Sequence, residues 1–404
     1  MTRAGAIAAA TLVTPGGPIT DGVVAWDERG TITHAGPRRG WPGQVDGDHP
    51  GRTIVPGFCD AHTHLPFVGW RDDEFEARLA GATYRDQHGA GGGIPRSARM
   101  LAAATDEEVI AFGLPLLDEM LRLGTTTLEM KTGYGLSVEG EMRQAALARR
   151  LAERAGQTVV VTLLACHAVP EGMTRDQWVR VACHDLIPRA AAEGLVDAVD
   201  IYVEDIAFTV EDLARVASAA DRAGLPLRCH AEQLGHTGAA SAAALLGARS
   251  VDHLNHLDRA DAATVASAGT TAVLLPASTL MLGARVPPVT GLLDAQVPIA
   301  LASDFNPGTS AVSSMPAVIA LGCALYGLTP DQALHAATAV PAAMLGVTDA
   351  GTLEPGKRAD LVVLEGPSVR MTPYRLGHDP VVAVVLGGEV VHQRSEPANG
   401  GGSC

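Results

Sequence analysis

The chain has no Lys/Arg-rich run, and its 30 basic residues are outnumbered by 45 acidic ones, for a formal charge of −15. A surface of that sign repels phosphate backbones and anionic bilayers, so nucleic acid and membrane drop out as partners. No uninterrupted apolar stretch approaches the ~20 residues that cross a bilayer. The start, "MTRAGAIAAATLVTPGG", lacks the long apolar core of a secretory signal. Cysteine is sparse: Cys59, Cys166, Cys183, Cys229, Cys323 and Cys404 are scattered without a CxxC pair. No disulfide framework follows, and a cytoplasmic protein with free thiols is expected.

What the chain does have is length and alternation. Its 404 residues accommodate a barrel of ~250 residues and a smaller domain. Residues 1–54 read as short strands broken by turns, and residues 347–394 show the same texture in "GKRADLVVLEG" and "PVVAVVLGGEVVHQ". The two ends are expected to pair into one small β-sandwich. Over residues 55–346, eight apolar runs alternate with helical stretches such as "EEVIAFGLPLLDEMLRLG". The runs are "TIVPGFCDAH", "TTTLEM", "VVVTLLACHA", "VDAVDIYVE", "PLRCHAEQ", "ARSVDHL", "TTAVLLPA" and "VPIALASDF". Eight strand–helix units predict an α/β fold closed as a (β/α)₈ barrel. The polar, Gly-rich segment 395–404 is expected to be disordered.

In such a barrel, chemistry is carried at the C-terminal ends of the strands. Of the 14 histidines, five fall there: His62 and His64 on the first strand, His167 on the third, His230 on the fifth and His253 on the sixth. Asp304 ends the eighth. Alternate residues of an extended segment share a face, so His62 and His64 point one way and Thr63 the other. With His230 and Asp304 they form an N₃O set suited to one divalent ion, Zn²⁺ or Fe²⁺, with a position left open for chemistry. A metal in that setting activates water and polarises a carbonyl or amidine, the chemistry of hydrolysis at a C–N bond. Lys131 in "LEMKTGYG" offers two readings: a carboxylated bridge to a second ion, or a salt-bridging residue. His184, His236, His256 and His335 fall on or beside helices and are left out of the site.

The motifs "PGFCDAHTHL", "HAEQ", "DHL" and "SDFNPGTS", with "GTLEPGKRADLVVLE" near the C-terminus, resemble the amidohydrolase superfamily over nearly the whole chain. That resemblance implies a metal-bearing (β/α)₈ barrel with a composite β-sandwich, and a homodimer. Within the superfamily, "FEARLAGATYRDQHGAGGGI", "LEMKTGYGL", "CHAVP", "HAEQL" and "DFNPGTS" are similar to the imidazolonepropionase family. The implied reaction opens 4-imidazolone-5-propanoate with water to N-formimidoyl-L-glutamate, in histidine degradation.

Position by position, the resemblance implies His62, His64, His230 and Asp304 as metal ligands. It implies Arg71, Tyr134, His167, Gln233, Asn306, Gly308 and Thr309 as contacts for a small anionic heterocycle. An arginine fork suits a propanoate carboxylate, although Arg71 also belongs to the charged run "RDDEFEAR". Some relatives carry Glu where this chain has Gln233, and an amide accepts no proton, so proton transfer falls to His253 and Asp304. His253 has a second reading, as a brace for Asp304. His167 is expected to meet the substrate carbonyl and stabilise developing charge.

Trp70, the segment Pro95–Arg99 and the loop "PASTLMLGARVPPV" depart from the family pattern and are expected to border the pocket. The same scaffold could instead deaminate an amino-substituted heterocycle, which ammonia release would reveal.

Overall fold

The computed structural model describes residues 3–83, 86–87 and 91–395. Residues 84, 85 and 88–90 of the "ATYRDQHGAGGG" segment lie outside the described residues, as does the expected tail from 396 onward.

Among the described residues, fifteen strands form two sheets. The first sheet joins the two ends of the chain. Its N-terminal strands are β1 (Gly5–Thr14), β2 (Gly17–Trp26), β3 (Ile32–Pro37) and β4 (Gly47–Pro56). Eight strands of the other sheet follow: β5 (Phe58–Asp60), β6 (Thr125–Lys131), β7 (Thr158–Cys166), β8 (Ala198–Val203), β9 (Leu227–Ala231), β10 (Ser250–His253), β11 (Thr271–Leu274) and β12 (Ile299–Leu301). The chain then returns to the first sheet with β13 (Leu361–Leu364), β14 (Val381–Leu386) and β15 (Glu389–Gln393).

The terminal sheet runs in the order β15-β14-β13-β4-β1-β2-β3. Alternation along β1 sends Ile7 and Ala9 into one apolar cluster and Ala6 and Ala8 into another, so both faces are covered. The second sheet runs consecutively from β5 to β12 with parallel pairing. Its strands are buried, apart from Thr158 and Val159 at the start of β7, as strands covered by helices on one side and packed in a barrel on the other must be. Connecting helices start at sequence-encoded caps, Thr105 with Glu108 and Thr209 with Asp212 among them.

The run "TIVPGFCDAH", expected as one strand, is two. Thr53–Pro56 pairs with β13 in the terminal sheet, whereas Phe58–Asp60 pairs with β6 in the barrel. Gly57 makes the break possible, because a Cβ there would lie 2.2 Å from the Thr126 hydroxyl. His62 and His64 therefore sit beyond the strand, not on it. Their segment is held from both sides: Lys131 N donates to Thr63 O at 2.8 Å, and His64 N donates to Phe305 O at 2.9 Å. The Thr63 hydroxyl turns away and donates to Glu129 O at 2.6 Å, which leaves both imidazoles on the opposite face.

The same segment closes the barrel. Thr63 bridges Phe305 in parallel, and the buried Asp60 carboxylate accepts from Ser303 N at 3.0 Å and Ser303 Oγ at 2.5 Å. Burial pushes the Asp60 carboxyl up to about 7 against the pull of these bonds. Asp60→Ala should leave two buried donors of Ser303 unpaired across this seam, at a cost of about 2–4 kcal/mol. Urea denaturation checks this; a variant as stable as the parent would show that the seam closes without Asp60.

Candidate metal centre and its cavity

Three strand ends leave the sheet through left-handed backbone at non-glycine residues: Glu232 (φ 57°) after β9, His253 (φ 77°) and Leu254 (φ 61°) at β10, and Asp304 (φ 54°) after β12. Such residues persist only where surrounding structure holds them, and they concentrate at functional sites. Here they turn the chain over the barrel mouth.

The expected ligands converge. His62 Nε2 and His64 Nε2 are 3.2 Å apart, and Asp304 Oδ1 lies 3.6 Å from the first and 3.3 Å from the second. The His230 ring centroid is 4.5 Å from that of His62, and its Nε2 is buried without a hydrogen-bond partner. His62 Nδ1 donates to Asp252 Oδ2 at 2.7 Å, so its Nε2 presents a lone pair to the cage. His230 Nδ1 lies 3.0 Å from Asp200 Oδ2, at ion-pair distance without hydrogen-bond geometry. Carboxylates behind imidazoles fix the tautomer and orientation that a metal needs.

Electrostatics agree. Burial, then the charges of Lys131 and neighbouring histidines, hold His62 well below the usual histidine range, and burial with His230 does the same for His64. These rings are neutral at neutral pH, the ligating form. Burial raises the Asp304 carboxyl, opposed by His253. Facing nitrogen lone pairs beside a buried carboxylate fit a divalent cation.

The structure shows Lys131 as a salt-bridging residue. It is fully buried, with Nζ 2.7 Å from Asp200, 2.9 Å from Glu129 and 3.4 Å from Asp252. Burial works to neutralise it, but Asp200, Glu129 and Asp252 outweigh that and hold the ammonium above its ordinary range. Sequence reading missed this layer. Its signal was there: Asp200, Asp252, Glu129 and Arg228 are charges inside apolar strand runs, which must pair with one another when buried.

Above the cage is a small cavity lined by His64, Arg71, Tyr134, His167, Gln233, His253, Asp304, Asn306 and Thr309, with Ile94, Tyr202 and His230. Arg71 is 3% exposed, and its Nε and Nη1 have no hydrogen-bond partner. The nearest carboxylate oxygen, on Glu74, is 3.6 Å from Nε. Of the two readings of this arginine, the solvated face is excluded. Gly308 gives it room, since a Cβ there would lie 1.7 Å from Nη2. Tyr134 is aimed by the following helix: Gln144 Oε1 accepts from Tyr134 N at 2.9 Å, and Glu141 accepts from Gly133 N and Leu136 N.

Three expectations change. His167 Nδ1 lies 3.0 Å from Gly133 O, which can only accept, so Nδ1 carries the proton. Burial and the nearby His64 and His230 keep the ring neutral. Its Nε2 is then an acceptor for a ring N–H and cannot stabilise negative charge on a carbonyl oxygen. Asn306 lines the cavity, but its amide is spent on its own loop. Oδ1 accepts from Gly308 N at 2.9 Å and Thr309 N at 2.7 Å, and Nδ2 donates to Asp304 O at 2.6 Å.

The third change concerns the departures from family pattern. Among the described residues, neither Trp70 nor Pro95–Arg99 lines the cavity. Trp70 packs on Phe67, Phe112 and Phe305, while Arg96 pairs with Asp73 at 2.8 Å and Arg99 donates to Gly91 O at 2.6 Å. The loop after β11 is also absent from the lining.

Residues 53–391 match the Amidohydrolase family. The chain belongs to that family, whose metal dependence accords with the His/Asp cage described above. Within it, the chain is 42% identical to imidazolonepropionase of Paracoccus denitrificans, over 90% of this chain and 93% of that one. It is 44% identical to imidazolonepropionase of Rhizorhabdus wittichii, over 90% and 93%. Solved structures share the fold at lower identity. An adenosine deaminase from Xanthomonas campestris with bound zinc has a TM-score of 0.70 at 21% identity, covering 95% of this chain and 92% of that one. An atrazine chlorohydrolase from Arthrobacter aurescens complexed with zinc has a TM-score of 0.73 at 16% identity, covering 98% and 97%.

Proposed function

We propose that this chain hydrolyses 4-imidazolone-5-propanoate to N-formimidoyl-L-glutamate, with one Zn²⁺ or Fe²⁺ held by His62, His64, His230 and Asp304. The observation that carries the reading is a buried guanidinium, its Nε and Nη1 without hydrogen-bond partners, lining the same small cavity as His64, His230 and Asp304 of the N₃O cage. That pairing suits a substrate with a carboxylate at one end and a hydrolysable ring at the other. The imidazolonepropionase relatives, at 42–44% identity over most of the chain, support it.

When bound, the metal ion supplies Lewis acidity toward the ring carbonyl and toward water. The remaining work belongs to the chain. Arg71 and Tyr134 hold the propanoate. His167 Nε2 accepts from a ring N–H, and Gln233 orients the ring. His253 is buried beside Asp304, and burial, opposed by Asp304, brings its imidazole down to about 3. It is thus neutral at neutral pH, and its place in the cavity beside Asp304 is what assigns it the proton of the attacking water and its return to the leaving ring nitrogen. A cytoplasmic homodimer completes the reading, and sedimentation of the purified protein tests the dimer.

Charge-assisted bonds to a carboxylate contribute about 1.5–3 kcal/mol, so Arg71→Ala should raise KM roughly 10- to 100-fold while metal content stays at the parent level. Gly308→Ala should raise KM in the same direction, because its methyl displaces the guanidinium. Steady-state kinetics beside metal analysis decide this; unchanged KM in both variants would place the carboxylate elsewhere.

A further inference from the structure

Beneath the histidine cage lies a second group of ligand-type atoms. Asp200, His230 and Asp252 bring donor atoms within 4.8 Å of one another, all buried, an arrangement able to hold a metal ion. A cation is already there. The Lys131 ammonium lies against Asp200 Oδ2, Glu129 Oε2 and Asp252 Oδ2 at 2.7, 2.9 and 3.4 Å.

Two of these oxygens also serve the cage. Asp252 Oδ2 takes the His62 Nδ1 proton at 2.7 Å, and Asp200 Oδ2 lies 3.0 Å from His230 Nδ1. One atom thus links ammonium to imidazole on each side. Arg228 is the other buried cation of the layer and is bonded to Glu129. Two cations, Lys131 and Arg228, stand against three carboxylates, Glu129, Asp200 and Asp252. Removing the ammonium leaves buried negative charge uncompensated, which is costly in a dry interior. Adding a carboxylate to Lys131 would turn the same position negative.

We propose that the Lys131 ammonium occupies a second cation position beneath this centre, and that its removal opens the Asp200–Asp252–Glu129 cluster to a divalent ion. The inference rests on the reading that His62, His64, His230 and Asp304 hold the first ion. Lys131 acts through Asp200 and Asp252 and is a positioning residue. Filling the position with a fixed side-chain charge keeps both histidines oriented whether or not the first ion is bound.

The test counts ions. Metal-free parent, Lys131→Arg and Lys131→Ala proteins are incubated with Cd²⁺, freed of excess by gel filtration and analysed for metal per chain. Crystals of each are then searched for anomalous peaks. The expected result is one ion in the parent and in Lys131→Arg, and two in Lys131→Ala, with the extra peak between Asp200 and Asp252. A parent that binds no ion would overturn the reading of the first site. A parent with one ion and a Lys131→Ala protein with one or none would overturn this inference alone, as would a parent with two. If Lys131→Ala does not fold, Lys131→Ala/Asp200→Asn, which removes a negative charge along with the positive one, should fold and bind one ion. Failure of that double variant to fold, read by circular dichroism, would assign Lys131 to packing and overturn the proposal.

Discussion

His230→Ala should lose both the metal and the reaction. In the proposed centre His230 is the ligand that β9 contributes, and its Nε2 is buried without a hydrogen-bond partner. Its neighbours cannot substitute. His62 and His64 share one extended segment, and Asp304 offers a single oxygen near both. A Lewis acid contributes several kcal/mol to such a transition state. At ~1.4 kcal/mol per factor of ten, kcat/KM should fall at least ~10³-fold. Metal analysis of the purified variant should show less than half the parent content. A His230→Ala protein with full metal occupancy and parent-like turnover would remove His230 from the ligand set.

The second large effect is expected where metal content does not change. His253 lines the cavity with its ring centroid 5.3 Å from that of His230 and 5.5 Å from that of His62. It stands beside the cage without being needed to complete it. His253→Asn keeps a polar group of similar reach but removes the proton acceptor. General acid–base catalysis contributes ~10²–10⁴-fold, so kcat should fall at least ~10²-fold with metal retained and KM little altered. Metal-replete His253→Asn protein with near-parent kcat would return His253 to bracing Asp304 and leave that carboxylate as the base.

These two residues also show what the sequence made legible. The eight barrel strands could be read because each is a short apolar run between helical stretches, and the histidines stood out because they fall where such runs end. Spacing alone put His62 and His64 on one face. It did not reveal that Gly57 breaks the preceding strand, because that depends on Thr126 crossing from a strand some seventy residues away.

The sequence signalled buried charges but not their pairing, for a similar reason. Asp200 and Asp252 look like ordinary polar interruptions of strands until the barrel register brings both beside Lys131. His167 lines the cavity, yet its hydrogen-bonding polarity was not readable from the sequence. That polarity is set by the Gly133 carbonyl, on a different loop. Asn306 lines the cavity too, and only the geometry of its own turn shows that its amide is already committed.

The central claim is hydrolytic opening of an imidazolone ring at a metal centre, and direct turnover tests it most simply. Purified protein of measured metal content is mixed with freshly prepared 4-imidazolone-5-propanoate, the loss of the ring chromophore is followed, and the products are identified by mass spectrometry with ammonia assayed in parallel. The expected result is catalytic loss of the chromophore, N-formimidoyl-L-glutamate as product, no ammonia, and loss of activity on chelation with recovery on adding Zn²⁺ or Fe²⁺. Metal-replete protein that leaves the substrate intact, or that releases ammonia from it, would contradict the account.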